Sequence, residues 1–248
     1  TEYNVTILVL SGCIVFFMGV LLGGLGAYIE NKYKNERNEI EQKLLSLEIS
    51  GSIGKVIDSF SDDLGFLSKS LNYQRVSSIN QILLKLNEQI HSFKKKYPRE
   101  KLKTDQFEAI SKQCNIIQQK LIVQNSVNEI FQSPPPAING STVRKDIVIE
   151  YNVDIKTIDS INIDIFEEDN WKRVIKGLLR EAKYQIKLIN HAEEVINDCY
   201  SGDKVKPNIS KKKYEEINKL VNKIKRLSDK VVLKEKLKEI ERNIELSN

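Results

Sequence analysis

VTILVLSGCIVFFMGVLLGGLGAYI, Val5 to Ile29, is a run of 25 residues without a formal charge. As a helix rising about 1.5 Å per residue it is long enough to cross a hydrocarbon core of about 30 Å with room for tilt. A cleaved leader has a basic residue ahead of a shorter apolar run and small residues at a cleavage point. Here Glu2 is the only charge in front, and Glu30, Asn31 and Lys32 follow directly. The segment therefore reads as an anchor that stays in place. No Lys or Arg precedes it, whereas Lys32, Lys34 and Arg37 come soon after Ile29. Positive charge marks the cytoplasmic side of a span, so the expectation is a single-pass protein with its N-terminus outside and its C-terminal region cytoplasmic. Tyr3, and Tyr28 or Tyr33, fall where interfacial aromatics sit.

Within the span, Gly12, Gly19 and Gly26 recur every seven residues, and Gly19, Gly23 and Ala27 every four. One stripe of the helix thus carries almost no side chain, and such a stripe lets another backbone approach closely. The expected neighbours are spans of other membrane protein subunits or a second copy of this chain.

Beyond the span the chain has the balance of an ordered protein: 40% hydrophobic and 29% charged residues with a formal charge of +5. Cys13, Cys114 and Cys199 form no C-x-x-C pair, which argues against a disulfide framework or a zinc site and for a reducing compartment. Apolar residues keep helical spacing. Ile40, Leu44 and Leu47 extend the first helix to a glycine hinge at Gly51 and Gly54. Ile53, Ile57, Phe60, Leu64, Leu67 and Leu71 then step by fours and threes, and Ile79, Ile82, Leu86, Ile90 and Phe93 resume the pattern, predicting a long helix that Pro98 ends. Thr104 is a candidate N-cap for the next helix, which carries Phe107, Ile110, Cys114, Ile117 and Leu121. SPPPAINGST, Ser133 to Thr142, excludes helix and marks a boundary.

After that boundary Ile147, Ile149, Tyr151, Val153 and Ile155 alternate with polar residues, as do Ile161, Ile163 and Ile165, which predicts a β-hairpin. Trp171, Ile175, Leu178, Ala182, Gln185, Ile189, Ala192, Ile196 and Cys199 predict a long helix that Gly202 breaks. A final helix is expected from about Lys211 through Ile217, Val221, Ile224, Val231, Leu237 and Ile244.

None of the common nucleotide, metalloprotease or serine-hydrolase motifs occurs outside the span. His91 and His191 lie within helical pattern, and neighbouring carboxylates such as Glu193 and Glu194 point about 100° apart, as on solvated faces. Two basic clusters stand out. FKKKYPREKLK, Phe93 to Lys103, holds six basic residues against Glu100, and KVKPNISKKKY, Lys204 to Tyr214, holds five against no acid. In the second, Lys211, Lys212 and Lys213 occupy a first helical turn, where cations oppose the helix dipole.

The sequence thus predicts a mainly α fold: a transmembrane anchor (1–30), a helical coiled-coil region (31–132), a Pro-rich linker (133–142), and a β-hairpin with a helical hairpin (143–248). No enzymatic activity, metal or cofactor is expected. The expected function is a membrane-anchored scaffold or accessory subunit of a membrane complex. Lys94, Lys95, Lys96, Arg99, Lys211, Lys212 and Lys213 are the candidate contacts to an anionic partner, either membrane lipid or protein. The alternative is a membrane-tethered sensor or effector that binds nucleic acid or nucleotide through those basic loops.

Overall fold

The computed structural model describes residues 28–47 and 52–246. The apolar segment up to Ala27, with Gly12, Gly19, Gly23, Gly26 and Ala27, lies outside the described residues, as does Gly51. Among the described residues no helix is long and apolar enough to cross a membrane. What is described is mainly helical: α1 (28–46), α2 (Ile53–Asp58), α3 (Tyr73–Lys96), α4 (Asp105–Glu129), α5 (Ile155–Asp159), α6 (Asn170–Asn197), α7 (Lys211–Asn222) and α8 (Leu227–Leu246). The chain forms two compact units that interleave in sequence. Of the described residues, one comprises those up to Asp58 with Ser77–Cys114, the other Ser59–Val76 with those from Asn115 onward.

In the first unit α1 and α3 run antiparallel, as shown by the contacts Glu36 to Lys96 and Lys43 to Gln89. Their apolar faces meet at Ile40, Leu83, Leu86, Ile90 and Phe93, all buried. The expected α3 stripe is corrected at one position: Leu83 is buried and Ile82 half exposed, so the face rotates by one residue. At the start of α4 the Thr104 hydroxyl donates to the Glu108 carboxylate at 2.8 Å. Cys114 is fully buried, and desolvation pushes its thiol pKa up, which keeps it unreactive.

The second unit is built on α6. Its predicted stripe is buried from Trp171 to Ile196 and packs against α5, α7 and α8. Trp171 is fully buried, edge-on to Phe166 at 5.1 Å, and its indole N–H donates to Gln124 at 3.1 Å. The Lys120 ammonium of α4 lies 4.8 Å from the centroid of the same indole and donates both to the Asp169 carboxylate and to the Gly65 carbonyl. Asp169 also caps α6 by accepting from Lys172 N at 2.7 Å.

Three predicted elements are corrected. The seam Ile53–Leu71 is not one helix: α2 stops at Asp58, and residues 59–72 fold back with Ser61 bridging Leu67. The Asp62 side chain accepts from the Leu64 and Phe66 amides, and Gly65 takes φ +85°, a turn that defeats the apolar spacing and leaves Leu64 exposed. The hairpin expected over Ile147–Ile165 is also absent. Asp154 instead caps α5 by accepting from Thr157 N, and Gln185 takes the backbone groups of Ile147 and Ile149 that a partner strand would have paired. The ladders found are two-residue ones, β1 (Ile138–Asn139) with β2 (Thr142–Val143), and β3 (Tyr200–Ser201) with β4 (Lys204–Val205). Their turns contain Gly140 at φ +59° and Gly202 at φ +61°. Finally, the last helix is two, because the Arg226 guanidinium donates to the carbonyls of Glu150 and Tyr151 and pairs with Asp229, which fixes a break between α7 and α8.

Lys120 and Asp169 keep only 9% and 26% of their side-chain surface, and removing one partner of such a pair strands the other charge. Asp169→Ala is expected to destabilise the protein by about 3–5 kcal/mol. The double change Lys120→Met with Asp169→Ser, which removes both charges and keeps a capping oxygen, should recover most of that loss. Urea unfolding followed by the fluorescence of Trp171, the one tryptophan, measures both; a double variant no more stable than the single one would refute the account.

Candidate functional site

The first basic cluster is assembled by the antiparallel pairing of α1 and α3. That pairing brings Lys94, Lys95, Lys96 and Arg99, at the end of α3, beside the start of α1. Tyr33 of α1 stacks on Phe93 at 5.8 Å and meets Tyr97 edge-on at 4.9 Å. Arg37 reaches the Tyr33 hydroxyl at 3.0 Å, Glu41 at 2.8 Å and Glu100 at 3.4 Å. Lys96 is committed to Glu36 at 2.7 Å and lies 5.1 Å from the centroid of Tyr97. Lys94, Lys95 and Arg99 are exposed and make no ion pair among the described residues.

These contacts tune the groups around them. Hydrogen bonding to Lys96 holds the Glu36 carboxyl below its ordinary range and raises the Lys96 ammonium. Glu100 accepts from the Tyr33 hydroxyl and pushes that phenol upward. A lowered carboxyl stabilises the fold above its ordinary pKa, and that contribution disappears as pH falls through the folded-state value. The clamp between α1 and α3 is therefore an acid-labile contact.

The second cluster opens α7. Ser210 caps the helix by accepting from Lys213 N at 3.2 Å, while Lys211, Lys212 and Lys213 are exposed and make no ion pair among the described residues. Lys212 and Lys213 border a groove of about 540 Å³ floored by Ile217 and Leu220, with His191 and Val195 of α6 opposite. The two clusters belong to different compact units.

A third basic surface escaped the reading of the sequence. On the solvent side of α6, Arg173, Lys176, Arg180 and Lys183 line a groove of about 500 Å³ with Ile158, Ile161 and Ile163. The spacing of the four basic residues is visible in the sequence, but their opposite wall exists only because α5 and the following loop fold onto α6. Both histidines are exposed, and His191 lies 3.9 Å from Glu194.

No family model matches the chain, and neither the curated proteins nor the solved structures contain a match to it.

Replacing Lys211, Lys212 and Lys213 with glutamate should leave the melting temperature level or raise it. Acids in a first turn complement the dipole by about 0.3–1 kcal/mol each, and Ser210 still caps the helix. A marked fall in melting temperature would mean that the lysines are structural. Glu36→Gln should make stability fall less steeply as pH drops below about 4.5, the ordinary value for this carboxyl; an unchanged acid limb in urea unfolding would exclude Glu36 as a contributor.

Proposed function

We propose that the protein is a single-pass membrane scaffold or accessory subunit of a membrane complex. Val5–Ile29 would anchor it, its helical units would lie on the cytoplasmic side, and its glycine stripe would pack against other membrane subunits or a second copy. The observation that supports this reading is the position of the first basic cluster. A span ending at Ile29 puts Tyr33 about 6 Å and Arg37 about 12 Å beyond the hydrocarbon boundary. Tyr33 stacks on Phe93 and meets Tyr97 edge-on, so with such a span the same clamp would hold Lys94, Lys95 and Arg99 at the depth of lipid headgroups. Unpaired cations at that depth are attracted to anionic lipid, each by about 1 kcal/mol.

The mechanism is geometric. A helix leaving the membrane that is gripped within its first two turns transmits the tilt and rotation of the span to the α1–α3 pair, while the basic corner fixes the height of that pair above the bilayer. The functional output is where helix faces are presented, with no bond made or broken.

Two measurements test this. Protease added outside intact cells should spare the chain beyond Lys32, and digestion of the helical region from that side would refute the topology. In lipid nanodiscs, trypsin should cut at Lys94–Arg99 more slowly when phosphatidylserine replaces part of a neutral phosphatidylcholine bilayer, and high salt should abolish the difference. Equal rates in both bilayers would remove lipid from the partners of this corner.

A further inference from the structure

The outward face of α6 carries more than a solvated charge pattern. Arg173, Lys176, Arg180 and Lys183 stand at i, i+3, i+7 and i+10, so they fall within about 80° of one another and span about 15 Å along the helix. They face a wall made by α5 and the chain after it. Ile158, Ile163 and Leu179 are buried in its floor, Ile161 is half-buried at its lip, and the groove between measures about 500 Å³.

The charges in this groove are only partly answered. Lys183 pairs with Asp159, and Lys176 with Glu168 at the rim. Asp159 is the one acid among the described residues that line the groove. Arg173 donates to the Asn170 side chain and to the Asp169 carbonyl, and Arg180 makes no ion pair, so neither guanidinium meets a carboxylate among the described residues. A guanidinium is a fork suited to a carboxylate or phosphate.

We propose that this groove docks an acidic, amphipathic peptide segment of a protein partner. Charge selects an anion, and the aliphatic wall selects among anions. Nucleic-acid strands are held by aromatic stacking platforms combined with cations, and the wall here offers isoleucines in place of rings. An extended peptide that alternates acidic and apolar residues satisfies both sides. Its acids repeat about every 7 Å on one face, and side-chain reach lets two of them meet Arg173 and Arg180, which stand about 10 Å apart along α6, while its apolar residues turn toward Ile161 and Ile163. The pairing of Asp159 with Lys183 shows that a carboxylate fits against a cation of this face. This inference does not depend on the membrane reading, because every residue it uses lies in the second unit.

The test uses the full chain in neutral phosphatidylcholine nanodiscs, so that no anionic lipid competes. The probe is a fluorescein-labelled octapeptide that alternates glutamate and leucine, followed by anisotropy. The expected result is saturable binding that the glutamine–leucine analogue does not show. Affinity should fall about tenfold or more on Arg173→Glu with Arg180→Glu, and measurably on Ile161→Ser. The milder pair Arg173→Gln with Arg180→Gln gives the same direction should charge reversal disturb folding, which melting temperature reports. The proposal is overturned if the variants bind the octapeptide as the parent does, if the glutamine analogue binds equally, or if oligothymidylate displaces the peptide with an affinity indifferent to Ile161→Ser.

Discussion

The second unit hangs on one buried charge pair. Lys120 of α4 is held between the indole of Trp171, the Asp169 carboxylate and the Gly65 carbonyl, so three distant parts of the chain meet at one ammonium. An ammonium taken from water costs several kcal/mol unless each proton finds an acceptor and a counter-charge lies beside it. Here two protons find oxygen acceptors, one of them the counter-charge, and the aromatic face adds a third attraction. The geometry leaves no slack: a Cβ at Gly65 would collide with the Asp169 carboxylate, and the backbone there is left-handed. The pair thus dictates the residue opposite it, the start of α6 and the path of residues 59–72.

The loop from Ile130 to Phe166 is organised by the same economy. Irregular backbone that is buried must find partners for its amides and carbonyls in other backbone or in side chains. Gln185 serves Ile147 and Ile149, Asn128 both donates to and accepts from Ile138, and Arg226 serves Glu150 and Tyr151. Two helix residues and one at the α7–α8 break, together with the backbone pairing of residues 130–132 with 148–150, take the place of the expected hairpin, and with that backbone satisfied Ile147, Ile149, Ile158 and Ile163 fill the core.

This explains which parts could be read from the sequence. The stripe from Trp171 to Ile196 was legible because a long amphipathic helix buries what its period says it buries. The seam through Leu64 was not, since four-and-three spacing survives by chance across a turn set by Asp62 and Gly65. The isoleucine alternation near Ile149 held only in part: Ile147, Ile149 and Ile163 are buried, but Tyr151 and Ile165 are exposed, because Gln185 and the Asp154 cap set the path of the backbone. At the candidate sites, the lysines of Lys94–Lys96 and Lys211–Lys213 were visible as charge runs, yet only the antiparallel pairing of α1 with α3 places the first run beside the start of α1. The α6 groove was illegible because its second wall is a five-residue helix and the loop after it, which the alternation of isoleucines had disguised as strand.

The interleaving of the two units also gives the fold a history in time. Residues 59–76 leave the ribosome well before Trp171, Lys172 and Ile175, the side chains whose burial completes their unit. At about 5–20 residues per second, the apolar side chain of Phe66 waits several seconds for the core it will enter. Within that interval Ser77–Cys114 are also made, so the first unit has its residues before the second does. A nascent chain of this design passes through a stage with a greasy loop and no home for it, which is when a chaperone or a neighbouring copy would have its opportunity.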